Sequence, residues 1–196
     1  MKKYFFLFML FIALDTTAQS WTKDYDYVDE FASGLAKVTK GSKYGYVNKQ
    51  GVLVVPLIYE EAMTLREGKA TVKKDGKWGY IDSTGKEVEE FKYEDAGCFR
   101  DSLAVVKLHG KYGFVDHNFK VVIPFNFESA RGFSEGLAPV SNSKGLWGYI
   151  NRKGNLVFEY QYNFADFFVE GQARVMKNGN LIMIDKKGKE VKENEQ

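Results

Sequence analysis

The sequence has few of the residues that cross-link a chain or anchor a metal ion. Its 196 residues include one cysteine, Cys98, three prolines and two histidines. A lone cysteine excludes an internal disulfide, so the fold must be held by packing. The formal net charge is only +2, with 28 basic and 26 acidic residues interspersed and no basic stripe. This balance argues against nucleic acid as a partner.

Long hydrophobic runs are also missing, apart from one near the N-terminus. A short positive segment opens the chain, Tyr4–Leu14 is uninterruptedly apolar, and Thr16 and Ala18 place small residues where an export peptidase cleaves. The pattern predicts a signal peptide over residues 1–18. As a helix the apolar run would rise about 16 Å, roughly half of a bilayer core. We therefore expect export to the periplasm, cell surface or extracellular space, with no integral membrane span after cleavage.

The chain is instead rich in one motif, an aromatic residue followed by glycine. The pair recurs at steps of 34, 34 and 35 residues, at Tyr44-Gly45, Trp78-Gly79, Tyr112-Gly113 and Trp147-Gly148. Self-similarity at this period is typical of repeat architectures. Aligned on the pair, residues 19–196 form a single domain of five units, at approximately 25–58, 59–92, 93–126, 127–161 and 162–196.

Each unit is predicted to contain three short strands and a connector of about ten residues. The middle strand ends in a turn with Asx first and glycine fourth, as in Asn48–Gly51, a pattern that favours a tight hairpin. In the third unit Phe119 occupies the glycine position, and Asn118 is expected to adopt the left-handed conformation instead. Pro56 and Pro124 should end the last strand or confine it to a sheet edge.

No segment shows sustained helical periodicity, so the prediction is an all-β fold of tandem hairpin or meander repeats of about 34 residues. A unit of this size cannot sustain its own core, so neighbouring units must cover one another. We expect an open stacked array. The alternative is a five-bladed, propeller-like closure.

The segment Gly76–Asp82 reads Gly-Lys-Trp-Gly-Tyr-Ile-Asp, followed by a turn and a valine-rich strand. This motif resembles the bacterial WG-repeat family, and the resemblance extends over roughly residues 25–191. It implies tandem β-repeat modules and no general set of catalytic residues. In the last unit Leu181-Ile182-Met183 replaces the aromatic–glycine–aromatic pattern. Because terminal repeats lack one neighbour, this unit is interpreted as a cap.

The repeated aromatics are the candidate site residues: Tyr44, Trp78, Tyr112 and Trp147. Two roles remain open for them. Exposed, they would form a row of flat rings suited to glycans or peptides. Buried, they would supply the packing that repeats need between units.

Catalytic chemistry finds less support. Glu60, Glu94 and Glu128 could form a row of carboxylates, as glycoside hydrolysis requires, but their recurrence favours a structural role. His109 and His117 fall in or beside turns without a cysteine nearby. We therefore predict no catalytic, cofactor or metal site.

The expected function is that of a non-enzymatic binding or scaffold module for a protein, peptide or glycan partner in the cell envelope. The alternatives are a glycan-active hydrolase that uses the acidic residues, and a purely structural spacer.

Overall fold

The computed structural model describes residues 20–191. The predicted signal peptide (1–18), Gln19 and the last five residues lie outside the described part. Within it the chain is all-β apart from one 3-10 segment, Ser20–Asp24, and twenty strands form five antiparallel sheets of four. Each sheet uses one contiguous stretch of chain, with its strands side by side in chain order. The prediction of an all-β tandem repeat is confirmed.

The strands of the five sheets have the following bounds. The first sheet contains β1 (Tyr27–Ala32), β2 (Leu35–Lys40), β3 (Lys43–Asn48) and β4 (Leu53–Tyr59). The second contains β5 (Glu61–Ala62), β6 (Lys69–Lys74), β7 (Lys77–Asp82) and β8 (Glu87–Tyr93). The third contains β9 (Asp95–Ala96), β10 (Ala104–Leu108), β11 (Lys111–Val115) and β12 (Val121–Phe127). The fourth contains β13 (Ser129–Ala130), β14 (Leu137–Ser141), β15 (Trp147–Asn151) and β16 (Leu156–Tyr162). The fifth contains β17 (Phe164–Val169), β18 (Gln172–Lys177), β19 (Asn180–Asp185) and β20 (Glu190–Val191).

The sheets therefore have one strand more than the sequence pattern indicated. The predicted connector supplies it, as a full strand in β1 and β17 and as a two-residue strand in the three middle sheets. A two-residue strand is too short to show alternation of apolar and polar residues, so periodicity could not reveal it.

The Asx turns form as predicted, with one exception. Asn48 Oδ1 accepts hydrogen bonds from the backbone N–H groups of Gln50 and Val52, both at 3.0 Å, and the other Asx turns repeat this arrangement. In the third sheet Phe119 itself has φ of 60°, so the expectation for Asn118 was wrong. The Phe119 ring packs 5.1 Å from the Tyr80 ring, between centroids. This burial offsets the strain of a left-handed non-glycine residue, which is of order 1–3 kcal/mol.

The glycine of each aromatic–glycine pair lies opposite a bulge in the fourth strand. In the first sheet Tyr44 pairs with Tyr59 but Tyr46 pairs with Val55, so the edge strand carries extra residues, including Pro56, at this point. The bulge brings a carbonyl oxygen over the glycine. A Cβ added at Gly45 would lie 2.5 Å from Val55 O, and one added at Gly148 would lie 2.5 Å from Phe158 O. The glycine is therefore required by a backbone contact within its own sheet.

The hydrophobic core lies between consecutive sheets. Four clusters of buried residues each combine one sheet with the next. Buried tyrosines of the third strands cross these interfaces: the hydroxyls of Tyr46, Tyr80 and Tyr149 donate to backbone carbonyls of the following sheet at 2.6, 2.8 and 2.7 Å. Phe114 occupies this position in the third sheet. Neighbouring sheets are thus joined by apolar packing and by specific hydrogen bonds.

The free face of the first sheet is covered by the N-terminal segment. Trp21 and Tyr25 pack on the buried residues Ala36, Val38 and Val47, and no residue of the fifth sheet belongs to this cluster within residues 20–191. The Trp21 ring lies directly on the turn glycine Gly51. At the corresponding turns of three other sheets, a fourth-strand side chain of the preceding sheet occupies this place, namely Val55 on Gly85, Ile123 on Gly154 and Phe158 on Gly188. Trp21 thus takes the position of a preceding sheet.

Gly148→Ala should destabilise the protein, because the new Cβ would overlap the Phe158 carbonyl oxygen. Relieving the overlap would require the backbone of one of the two strands to move. We expect a loss of about 2–3 kcal/mol in the free energy of unfolding, measured by urea denaturation. Gly132→Ala is the matched control, since its Cβ would meet only the Arg100 side chain, at 3.5 Å. Equal losses in the two variants would contradict the backbone-contact explanation.

Stability should fall at alkaline pH because burial raises the pKa values of Tyr46, Tyr80 and Tyr149 above the usual range. In the unfolded chain tyrosine ionises near pH ~10, so the stabilisation is complete below about pH 10 and is lost as the pH rises further. By about pH 11 each fully buried tyrosine should cost about 1 kcal/mol in the free energy of unfolding.

Tyr149→Phe provides the check. It should lower stability by about 1 kcal/mol at neutral pH, through the lost hydrogen bond to Asp166 O, and should reduce the further loss at alkaline pH. Urea denaturation at both pH values, with tyrosinate absorbance as a second signal, measures these effects. An unchanged alkaline loss in the variant would show that Tyr149 ionises in the folded state without penalty.

Candidate functional site

The structure places the four candidate aromatics at the interfaces between sheets. Trp78 is 6% exposed and belongs to the cluster between the second and third sheets. Tyr44, Tyr112 and Trp147 are half-buried and pack against the clusters that join their own sheets to the next ones. All four thus contribute to packing. Ligand binding by these rings stays a prediction.

Cations of the chain itself cover three of these rings. Lys73 Nζ lies 5.7 Å from the centroid of the Trp78 ring, Lys107 Nζ 5.3 Å from Tyr112, and the Arg131 guanidinium carbon 5.6 Å from Trp147. A cation over a ring gains from the negative potential of the ring face. A ligand that stacks on the same face must first displace that cation.

The three acidic residues considered for glycan hydrolysis all have partners within the protein. Glu60 Oε2 accepts the backbone N–H of Gly76 at 3.1 Å, and Glu94 Oε2 accepts that of Gly110, also at 3.1 Å. Glu128 forms an ion pair with Lys111. Glu60 and Glu94 therefore hold the second hairpin of their own sheets, whereas Glu128 pairs with a lysine of the preceding sheet.

A second row of acidic residues lies in the tight turns between the first and second strands. We call this row the turn row. It consists of Ser33-Gly34, Glu67-Gly68, Asp101-Ser102, Glu135-Gly136 and Glu170-Gly171. All ten residues have positive φ, between 50° and 85°, as in a type I′ turn. The turn row thus presents one polar side chain from each sheet.

The carboxylates of the turn row connect each sheet to the next. Asp101 Oδ2 accepts the backbone N–H of Gly136 at 2.7 Å, and Glu135 Oε2 accepts that of Gly171 at 3.1 Å. Glu67 makes a longer contact of this kind, 3.4 Å from its Oε1 to the backbone nitrogen of Ser102. These carboxylates are therefore occupied by backbone donors.

Basic residues from the Asx turns of the following sheets add to two of these contacts. His117 Nε2 lies 2.8 Å from Glu67 Oε2, and Lys186 Nζ lies 2.9 Å from Glu135 Oε2. The hydrogen bond from Lys186 and that from the backbone of Gly171 hold the pKa of Glu135 below its usual value. The His117 ring also stacks on Phe99, with centroids 4.3 Å apart. His117 is thus a contact residue between sheets.

A cleft of about 290 Å³ opens along the turn row of the first four sheets, and we call it the turn cleft. Its apolar lining residues Leu65, Phe99 and Phe133 are nearly fully buried. Its polar lining consists of Ser33, Arg66, Glu67, Arg100, Asp101 and Ser134. The cleft therefore offers polar groups from four sheets above a floor of packed side chains.

Two arginines of the turn cleft have guanidinium groups that no carboxylate of the described residues contacts. Neither Arg66 nor Arg100 forms an ion pair with a carboxylate of residues 20–191. The Arg100 guanidinium lies 5.3 Å from the centroid of Phe167, on the fifth sheet. Burial raises the pKa of the Cys98 thiol, and both guanidinium charges oppose that rise. The two charges therefore lie near the same buried group.

One feature of the sequence distinguishes the position of these arginines from its neighbours. The residue after the large apolar position varies between units, as Ala32, Arg66, Arg100, Ser134 and Val169. This position varies between units although the positions next to it recur. Its side chain therefore does not take part in the packing that all units share.

Two features are not found among residues 20–191, a metal-type side-chain cluster and a membrane-length helix. Across residues 20–191 no three His, Cys, Asp or Glu side chains group as they would around a metal ion. That part of the chain also contains no helix of the length and apolar character needed to cross a membrane.

The sequence of the five units matches a known family model. The model of the WG-containing repeat matches at residues 22–44, 44–78, 78–112, 112–144 and 147–180. The chain belongs to the WG-containing repeat family. No curated protein matches it in sequence.

Solved structures resemble this WG-repeat chain in fold. Kluyveromyces lactis Hsv2 with its loop 6CD replaced by a Gly-Ser linker is 12% identical, with a TM-score of 0.56, over 85% of this chain and 66% of that one. The extracellular domain of BT4673 from B. thetaiotaomicron is 13% identical, with a TM-score of 0.53, over 86% of this chain and 28% of that one. BamB from Moraxella catarrhalis is 13% identical, with a TM-score of 0.49, over 83% of this chain and 58% of that one.

The WG-repeat chain thus spans less than two thirds of the length of each of these structures. The similar structures are propeller-like, which is compatible with the propeller-like alternative to an open array. At this level of identity the likeness shows the fold alone.

Proposed function

We propose that this WG-repeat protein is an exported, non-enzymatic module that binds a partner protein of the cell envelope. The observation that carries the proposal is that the residues repeated in every unit have structural roles, whereas the residues that vary between units do not share them. The repeated aromatics, the repeated carboxylates and the Asx residues are occupied by packing or backbone hydrogen bonds. Arg66 and Arg100 have no such repeated role, and both line the turn cleft, where the units differ.

Repeat arrays generally present extended surfaces for binding, and a surface that differs from unit to unit can recognise an irregular partner. A protein is favoured over a glycan because the aromatic floor of the turn cleft cannot stack on a sugar. Phe99 and Phe133 are 1% and 0% exposed. Export is supported by the N-terminal sequence pattern.

Binding to envelope fractions tests the proposal. Labelled protein of residues 19–196 should bind a detergent-solubilised envelope fraction saturably, unlabelled protein should compete, and protease treatment of the fraction should abolish the binding. Binding that survives the protease would contradict a protein partner. The absence of saturable binding would favour the structural spacer instead.

The hydrolase alternative is tested on the same preparation. The protein should release no reducing sugar from a panel of envelope and storage polysaccharides. The triple variant Glu60→Gln, Glu94→Gln, Glu128→Gln should bind the envelope fraction as the native protein does. Release of sugar by the native protein that is lost in the triple variant would overturn the proposed function.

A further inference from the structure

The turn cleft has a charge arrangement that selects a class of ligand. Its two carboxylates, Glu67 and Asp101, accept backbone N–H groups, and Glu67 also contacts His117. Its two guanidinium groups, Arg66 and Arg100, have no carboxylate partner within the part of the chain that the structure describes. The charged groups of the cleft whose hydrogen-bonding capacity is unused are therefore the two guanidinium groups.

The position of Arg100 is defined by its neighbours. Its Cδ lies 3.5 Å from the place where a Cβ of Gly132 would be, so this side chain passes the fourth sheet where no side chain obstructs it. The guanidinium then reaches Phe167 on the fifth sheet. A guanidinium supported on an aromatic ring is held in a limited set of orientations and keeps its N–H edge for hydrogen bonding.

Arg66 and Arg100 come from equivalent positions of consecutive sheets. Both line the turn cleft, and both act electrostatically on the Cys98 thiol. Neither guanidinium donates to a carboxylate of residues 20–191, so the N–H groups of both are available to an external anion. The planar fork of arginine matches a carboxylate in a bidentate geometry, which makes such a pair a receptor for carboxylates.

We propose that the turn cleft binds an acidic peptide segment of a partner protein, with carboxylate side chains held by Arg66 and Arg100. This inference rests on the proposed function and names the chemistry of the partner. A volume of about 290 Å³ suits one or two side chains of an extended segment rather than a folded domain. The buried floor provides no open ring for a uronic acid to stack on, so a peptide is favoured over an acidic glycan.

The test measures binding of fluorescein-labelled peptides to the protein of residues 19–196, at physiological salt, by fluorescence anisotropy. A decapeptide of alternating glutamate and serine should bind saturably. The same peptide with glutamine for glutamate should bind at least about tenfold more weakly, since the charge-assisted hydrogen bonds are lost.

Variants locate the site. Arg66→Gln with Arg100→Gln should weaken binding of the glutamate peptide at least about tenfold. The matched control is Arg152→Gln with Lys153→Gln, which makes the same change of charge in an Asx turn and should leave affinity within about twofold. Arg66→Lys with Arg100→Lys keeps the charge and removes the planar fork, so an intermediate loss is expected. Circular dichroism and thermal melting of each variant verify the fold.

Three outcomes would overturn the inference. The first is equal weakening by the two glutamine double variants, which would indicate a general charge effect. The second is equal affinity for the glutamate and glutamine peptides. The third is tighter binding of an oligogalacturonate that also depends on Arg66 and Arg100, which would assign the cleft to acidic glycans. If the peptide fails while the envelope fraction still binds saturably, the proposed function stands and this inference falls.

Discussion

The burial of apolar side chains between consecutive sheets is the interaction on which the rest of this structure depends. A unit of about 34 residues cannot enclose a core of its own, and here each core cluster draws its residues from two sheets. Each of the three middle sheets must therefore present two different apolar faces. The tyrosine hydroxyls that reach carbonyls of the next sheet fix the register of this packing, because a buried hydroxyl without a partner is costly.

This constraint explains why the aromatic–glycine pair recurs. The aromatic residue supplies contact area at the interface with the next sheet, whereas the glycine leaves room for a carbonyl oxygen within its own sheet. The edge strand bulges opposite the glycine, and its carbonyl oxygen approaches to a distance that no Cβ allows. Bulges and prolines also protect edge strands from pairing with other chains. The two residues of the motif thus serve different contacts and recur together because each unit needs both.

Much of the fold could be predicted from the sequence because it is encoded locally. The period, the Asx turns and the all-β class follow from residue types a few positions apart. The short first strands could not be predicted, since two residues such as Glu61-Ala62 carry no periodicity. The left-handed conformation of Phe119 was also missed, because it depends on contacts of its ring with Tyr80 and Phe99, from other strands.

The candidate site was harder to predict for a related reason. Recurrence in a sequence identifies what all units need, and that is packing. Arg66 and Arg100 became visible only when the structure showed that neighbouring carboxylates are already used by backbone donors. Which charges pair between sheets depends on which turns face each other. The sequence alone does not contain that information.

The turn row also gives the array a direction. Three carboxylates of the row act on the sheet that follows: Glu67 on the third sheet, Asp101 on the fourth and Glu135 on the fifth. At the N-terminal end Trp21 takes the place of a preceding sheet. At the other end Leu181 is 57% exposed, and Met183 stands where other sheets have a tyrosine or phenylalanine. A methionine has no hydroxyl, so this position of the fifth sheet needs no hydrogen-bond acceptor. The two terminal sheets therefore differ. Trp21 covers an apolar face of the first sheet, whereas the fifth sheet carries no hydroxyl at the position where other sheets have a tyrosine.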